Sequence, residues 1–266
     1  MSDWTDLPTA WDEAHGQARL VFHHALQIVA AAGITHLEHD AEFQHSNVSY
    51  EPAQGGFMGR RLNGEVQLGM GGSPPYWRLY SGGVSTARLR VAGQTVATGV
   101  TWSRVVLARA GLADKDLELP TWDLPAGPFD AGTVFPPVPD EAYHQIQTWY
   151  ENALRVLGRI EAAHGGSPVR VWPHHFDIAT LIDLGDGKSI GVGMSPGGPG
   201  FEGPYLYVTP WPYPEGDLPD LAHGRWHTEG WTGAVLEGSA LPDTDQGSVV
   251  EAFVAAAIQA CRVLLS

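Results

Sequence analysis

The chain has almost no cysteine, very little lysine and no long apolar run. A single cysteine, Cys261, among 266 residues excludes an internal disulfide framework and a Cys-rich zinc site. Lys115 and Lys188 are the two lysines, and 15 basic residues stand against 30 acidic ones, a formal charge of -15. No basic run interrupts the sequence, so neither phosphate-tracking nucleic-acid binding nor attraction to an anionic membrane is expected. Apolar runs such as Val254–Ile258 fall far short of the roughly 20 residues that span a bilayer. The opening Met-Ser-Asp-Trp-Thr-Asp has no positive segment ahead of an apolar core, so no signal peptide is expected. These absences lead to the expectation of a soluble cytoplasmic protein.

What the sequence does contain is aromatic residues, glycine and proline. With 43% hydrophobic residues and 10 Trp it can build a globular core, while 33 Gly and 20 Pro mark many turns and short strands. A chain of this length buries about three quarters of its unfolded surface, as one large domain or two small ones.

Four helices are predicted. The first covers 9–32, where Ala14, Ala18, Val21, Ala25, Ile28 and Ala32 recur at alternating spacings of four and three; Thr9 can cap it and Gly33 stops it. His23-His24 on this helix is expected at the surface. The second covers 140–164, with Ile146, Tyr150, Ala153, Leu157 and Ile160 on one face and Gly165-Gly166 at its end. The helix that closes the chain has Ser248 and Glu251 in a capping-box pattern ahead of Val250, Phe253, Val254, Ala257, Cys261 and Leu264. Cys261 therefore reads as a small core residue. A further helix over 98–110 is weakened by Gly99 and ended by Gly111.

Between the helices the apolar period drops to two. Strands are expected over 43–51, 64–70, 76–80, 87–91, 116–119, 169–183, 189–194, 205–210 and 226–236, with Asn63-Gly64 and Asp186-Gly187 as two-residue hairpin turns. The Pro- and Gly-rich stretch 123–139 reads as a linker.

The same order of elements occurs twice. A long helix ended by glycine leads to a His-bearing segment, Gln44-His45-Ser46-Asn47-Val48 or His174-His175-Phe176-Asp177-Ile178. An Asn-Gly or Asp-Gly hairpin follows, then a strand ending in Gly69-Met70 or Gly193-Met194, a Gly/Pro-rich loop, and Pro75-Tyr76-Trp77 or Pro204-Tyr205-Leu206. The expected architecture is α+β, two similar helix–antiparallel sheet–helix halves related by internal duplication: 1–122, a linker at 123–139, and 140–266.

Trp172–Asp177, the strand Pro204-Tyr205-Leu206-Tyr207-Val208-Thr209, the segment His227-Thr228-Glu229-Gly230-Trp231-Thr232-Gly233 and Pro128-Phe129-Asp130 with Thr133-Val134 resemble a bacterial family known only as a domain of unknown function. The resemblance implies a single full-length module and carries no activity with it.

The candidate chemistry lies in the second half. If 169–183 is one strand, alternate residues share a face, and His175 and Asp177 stand side by side about 7 Å apart at the backbone. His227 follows 50 residues after Asp177. Two histidines and a carboxylate match the metal-binding triad of non-haem iron oxygenases, and also suit a hydrolytic divalent ion with Glu229 as general base. No Arg or Lys follows His227 before Arg262, which removes the basic residue that oxygenases of the 2-oxoglutarate type need. The same side chains can instead pair with one another as ordinary buried polar groups. A third reading is a small-molecule pocket walled by Trp172, Tyr205, Tyr207, Trp226 and Trp231, with Phe176, Phe201, Trp211 and Tyr213 nearby in sequence. The loop Ser195–Gly200 lacks the ending and the following helix of a phosphate cradle and reads as a plain connection.

Overall fold

In a computed structural model that describes residues 4–125, 129 and 132–266, the chain is α+β, with helices α1 (Glu13–His36), α2 (Val96–Arg109), α3 (Asp140–His164) and α4 (Gln246–Leu264). The strands are β1 (Ser49–Glu51), β2 (Gly56–Met58), β3 (Val66–Gly71), β4 (Tyr76–Ser81), β5 (Val84–Arg90), β6 (Arg170–Trp172), β7 (Asp177–Gly185), β8 (Lys188–Ser195), β9 (Tyr205–Trp211), β10 (Arg225–His227) and β11 (Gly233–Glu237). They form two antiparallel sheets, ordered β1-β2-β3-β4-β5 and β10-β11-β9-β8-β7-β6. Residues 126–128 and 130–131 of the expected linker, with Pro128 and Asp130, lie outside the described residues.

Two compact units emerge. One comprises Glu13–Gln147 and Val171–Phe176, and the other the segment up to Asp12 with Thr148–Arg170 and Asp177–Ser266. The chain passes from one unit to the other inside α3 and inside β6. We call them the α1 unit and the α4 unit.

In the α1 unit, Tyr50, Phe57, Leu68, Met70 and Trp77 share one face of the five-stranded sheet, as the ladder register requires, and all are buried. α1 packs on β3 and on α2, and α2 on β4 and β5. Trp77 Nε1 donates to the carbonyl of Ala25 at 2.9 Å. Gly99 does not weaken α2 so much as permit it to dock: a Cβ there would stand 2.5 Å from Ile28 Cδ1 and 2.8 Å from the Trp77 ring. Thr95 caps α2, its hydroxyl accepting from the Thr98 N–H at 3.1 Å. Gly33 likewise does not stop α1, which runs three residues further; its missing side chain admits the His45 carbonyl oxygen, 2.0 Å from where a Cβ would lie. His23 and His24, expected outside, are buried, because neighbours surround α1 and every residue from Val21 to Gly33 is buried.

The α4 unit repeats the one-sided pattern. Ile178, Ile182, Ile190, Val192, Met194, Leu206, Val208, Ala234 and Leu236 share a buried apolar face. α4 packs on β8, β9 and β11, burying Val250, Phe253, Val254, Ala257, Ile258 and Cys261. Burial drives the Cys261 thiol up to about 12 and keeps it protonated. α4 is long and apolar enough to cross a membrane by length and composition, with a mean hydropathy of 1.5. Its apolar stripe is occupied by the sheet. The capping box predicted at Ser248 and Glu251 is replaced: helix α4 starts at Gln246, and the Asp6 carboxylate accepts from the N–H groups of Asp245 and Gln246, both at 3.1 Å.

Two fully buried amides hold the chain ahead of Asp12. Asn152 Oδ1 accepts from the Thr5 N–H at 2.9 Å while its Nδ2 donates to the Thr5 carbonyl at 2.8 Å. Gln246 does the same for Leu7, at 3.0 and 2.6 Å. Each amide thus satisfies both backbone groups of one residue, as a neighbouring strand would.

Candidate functional site

The predicted strand over 169–183 is broken. β6 ends at Trp172, residues 173–176 form a turn in which Phe176 adopts a left-handed φ of 55°, and β7 begins at Asp177. The Phe176 N–H donates to the Trp172 carbonyl at 2.7 Å. Strand alternation therefore does not relate His175 to Asp177. His175 is exposed on the turn, with its ring 4.2 Å from that of His174. Trp172 is half-buried in the α1 unit, against His174.

Within the α4 unit, register builds the other candidates into one place. Tyr205 and Tyr207 on β9 pair with Ser195 and Gly193 on β8, and with Glu237 and Val235 on β11. Gly193 pairs in turn with Ala179 on β7, and Gly233 with His227 on β10. Side chains at these positions share the face opposite the apolar one, so Asp177, Ser195, Tyr205, Tyr207, Arg225 and His227 all look the same way. This face is more open: Tyr205, Tyr207 and His227 are half-buried, whereas Asp177 and Ser195 are buried.

Gly193 is what joins β9 to β7. A Cβ there would lie 2.4 Å from both Cζ and Oη of Tyr207, so the phenol crosses β8 only because the intervening residue is glycine. On the far side, the Tyr207 hydroxyl donates a short hydrogen bond to Asp177 Oδ2. Burial, and then the negative charge of Asp177, push the Tyr207 phenol well above its ordinary value. Tyr205 is raised too, chiefly by burial, with a Ser195 hydrogen bond pulling the other way. Both phenols stay protonated. The Ser195 hydroxyl lies 3.3 Å from both the N–H and the carbonyl oxygen of Gly197.

Aromatic rings wall this polar strip. Phe201 stacks on Tyr205 at 4.0 Å between centroids and lies 5.4 Å from His227. Trp231 stands 4.5 Å from His227 and meets Tyr207 edge-on at 6.2 Å. Arg225 lies over Phe201 at 5.8 Å and is paired with Glu237 at 2.8 Å. The His227 Nε2 contacts the Glu229 carbonyl at 2.9 Å, and Glu229 is exposed. Trp226 alternates to the other side of β10, its Nε1 donating to the Pro219 carbonyl at 2.7 Å.

Of the residues singled out in the sequence, Asp177, Tyr205, Tyr207, His227 and Trp231 thus meet on one face, while Trp226 does not. Ser195 and Gly193 complete the site; sequence alone assigns Gly193 only to the end of a repeated strand and Ser195 only to a plain connection. A glycine inside a strand, two residues before a serine, is the signal for both. Among the described residues no group of three or more His, Cys, Asp or Glu side chains stands close enough to hold one metal ion. A groove of about 580 Å³ runs along α2, lined by Val100, Val105, Ala108 and Leu117. Of its two guanidinium groups, those of Arg104 and Arg109, the first is tied to Asp114 and Asp116, both at 2.6 Å, and we place no site there.

Comparison with protein-family models, curated proteins and solved structures finds no match.

Proposed function

We propose that this chain is a small-molecule-binding protein that holds its ligand on the open face of the six-stranded sheet, between Tyr205, Tyr207, His227 and Trp231. The observation that carries this reading is the part-buried Tyr207–Asp177 hydrogen bond beside a wall of half-buried aromatic rings. Aromatic faces with a few fixed polar groups bind small organic ligands by stacking and orientation. The polar groups are suited to binding rather than to attack: the phenols are held protonated, and Ser195 lies against a backbone loop instead of a base. A metal-dependent reaction through His175, Asp177 and His227, with Glu229 as base, has less support, because Asp177 is engaged by Tyr207 and His227 lies against the Glu229 carbonyl.

The test is a tryptophan-fluorescence and thermal-shift titration with a set of mono- and disaccharides, nucleosides and choline. At least one probe is expected to saturate in the wild type and to lose its effect in Trp231→Ala and Tyr205→Ala. A response that survives both substitutions places the ligand elsewhere.

The same proposal includes a duplicated origin for the two helix–sheet–helix halves. In support, α1–β1 to β5–α2 parallels α3–β6 to β9, β11–α4, with β10 as an added strand. The ladders agree in register too: Met70 pairs with Phe57 and Trp77 as Met194 pairs with Ile178 and Leu206. By that register the counterpart of Asp177 is Gly56 rather than Asn47, and that of Tyr207 is Arg78. A cytoplasmic setting and the resemblance to the bacterial family complete the reading.

A further inference from the structure

The open face of the five-stranded sheet carries a different chemistry. Arg78 on β4 pairs directly with Arg88 on β5, and Tyr76 pairs with Arg90 one step along the same face. Like charges directly opposite on neighbouring strands are destabilising. Both guanidinium groups of the opposed pair lie over one ring, Arg78 at 5.9 Å and Arg88 at 5.2 Å from the Tyr76 centroid. Arg78 is half-buried and reaches the Gln54 carbonyl at 3.3 Å; Arg88 and Arg90 are exposed. Among the described residues no carboxylate is ion-paired with any of the three, although the chain has twice as many acidic as basic residues. Beside them Gly69 stands opposite Arg78 and Gly71 opposite Tyr76, and both are covered: a Cβ on Gly69 would lie 2.7 Å from Met58 Sδ and 3.1 Å from the Tyr80 ring, and one on Gly71 2.3 Å from the Gly55 carbonyl oxygen. Two guanidinium groups therefore lie over one aromatic ring, and a third arginine, Arg90, stands directly opposite that tyrosine on the neighbouring strand, with no ion pair to any of the three among the described residues.

We propose that Arg78 and Arg88, stacked on Tyr76, with Arg90 beside it, form a binding site for a small oxyanion, a phosphoryl or carboxylate group on a compact ligand. The planar fork of arginine matches both groups in a two-point hydrogen bond, and stacking on Tyr76 holds the forks of Arg78 and Arg88 in place. Three cations span one small anion rather than a nucleic-acid backbone, which needs a longer stripe. The site is separate from the aromatic face of the α4 unit and does not rest on that reading.

The test is calorimetric titration of the full chain, at fixed ionic strength, with inorganic phosphate and with citrate. At least one of them binds saturably, and Arg88→Gln and Arg90→Gln each weaken it about tenfold or more. Phosphate alone or citrate alone identifies the group recognised. Arg88→Lys keeps the charge but not the fork and falls between wild type and Arg88→Gln. In anion-free buffer Arg88→Gln melts no lower than the wild type, since it removes an opposed like charge. The proposal is overturned if neither anion saturates, if both glutamine variants bind like wild type, or if Arg88→Gln melts several degrees lower without anion.

Discussion

The hydroxyl of Tyr207 donates to the carboxylate of Asp177 across the position where Gly193 has no side chain. Three strands are needed for that one hydrogen bond: β9 supplies the donor, β7 the acceptor and β8 the gap. Tyr207→Phe removes the donor of this one hydrogen bond to the buried carboxylate. A loss of about 1–3 kcal/mol in urea unfolding is expected. Gly193→Ala forces the ring out of its path and costs a comparable amount, about 1–3 kcal/mol. In Gly193→Ala/Tyr207→Ala the two effects are less than additive, since the ring that clashes is gone. Strict additivity would count against the crossing.

The paired amides predict how the segment ahead of Asp12 is held. Asn152→Ala strips both partners from the Thr5 backbone, and Gln246→Ala those from Leu7. Gln246→Ala should lower stability by about 1–3 kcal/mol per buried group left unsatisfied, and Asn152→Ala by less, because Leu7 is buried whereas Thr5 is exposed and water can replace its partners. Limited proteolysis should then cut the segment near Trp4 and Leu7 far faster than in the wild type. Unchanged cleavage would show that Trp4, packed edge-on against Trp149 at 5.6 Å, holds the segment by itself.

A pH dependence follows from His23. Its Nε2 lies 2.9 Å from the Pro173 carbonyl, so the neutral ring donates there, and the ring stacks on Phe176 at 5.3 Å. Burial is the main reason its pKa falls to about 3, outweighing the Pro173 hydrogen bond that raises it. Burial also lowers His174, to about 4. The unfolded chain, with histidines near 6.5, then binds more protons than the native one between pH 6.5 and about 3. Stability from His23 is complete above pH 6.5 and is lost as the pH falls through this window, by up to about 1.4 kcal/mol per pH unit. Urea midpoints at pH 7, 6 and 5 should fall steadily in the wild type and less steeply in His23→Gln. Equal slopes would contradict the assignment.

Much of the fold is legible in the sequence, and the misreadings share a cause. α3 has its predicted bounds because Pro139 and Gly165 flank a stretch that is apolar on one side only. At Asp186-Gly187 both residues have positive φ, 51° and 75°, as the hairpin turn requires. Gly33 and Gly99 read as a stop and a weak point, yet each is small because something distant in sequence comes close. The helical stripe places His23 outside, a rule that holds only for a helix with one face in water. The run from Val169 to Asp183 has the composition of one strand, and the left-handed Phe176 that splits it is not visible in residue types. The site follows the same logic. Asp177 stood out as a carboxylate among apolar residues, but its partner is set by sheet order, which local periodicity does not encode.

The most direct test of the binding account is amide and side-chain NMR mapping of the full chain with whichever small organic probe saturates in the fluorescence titration. The account predicts shifts concentrated on Tyr205, Tyr207, His227 and Trp231, abolished in Trp231→Ala. Shifts confined to residues outside this face, or unaffected by Trp231→Ala, would contradict it.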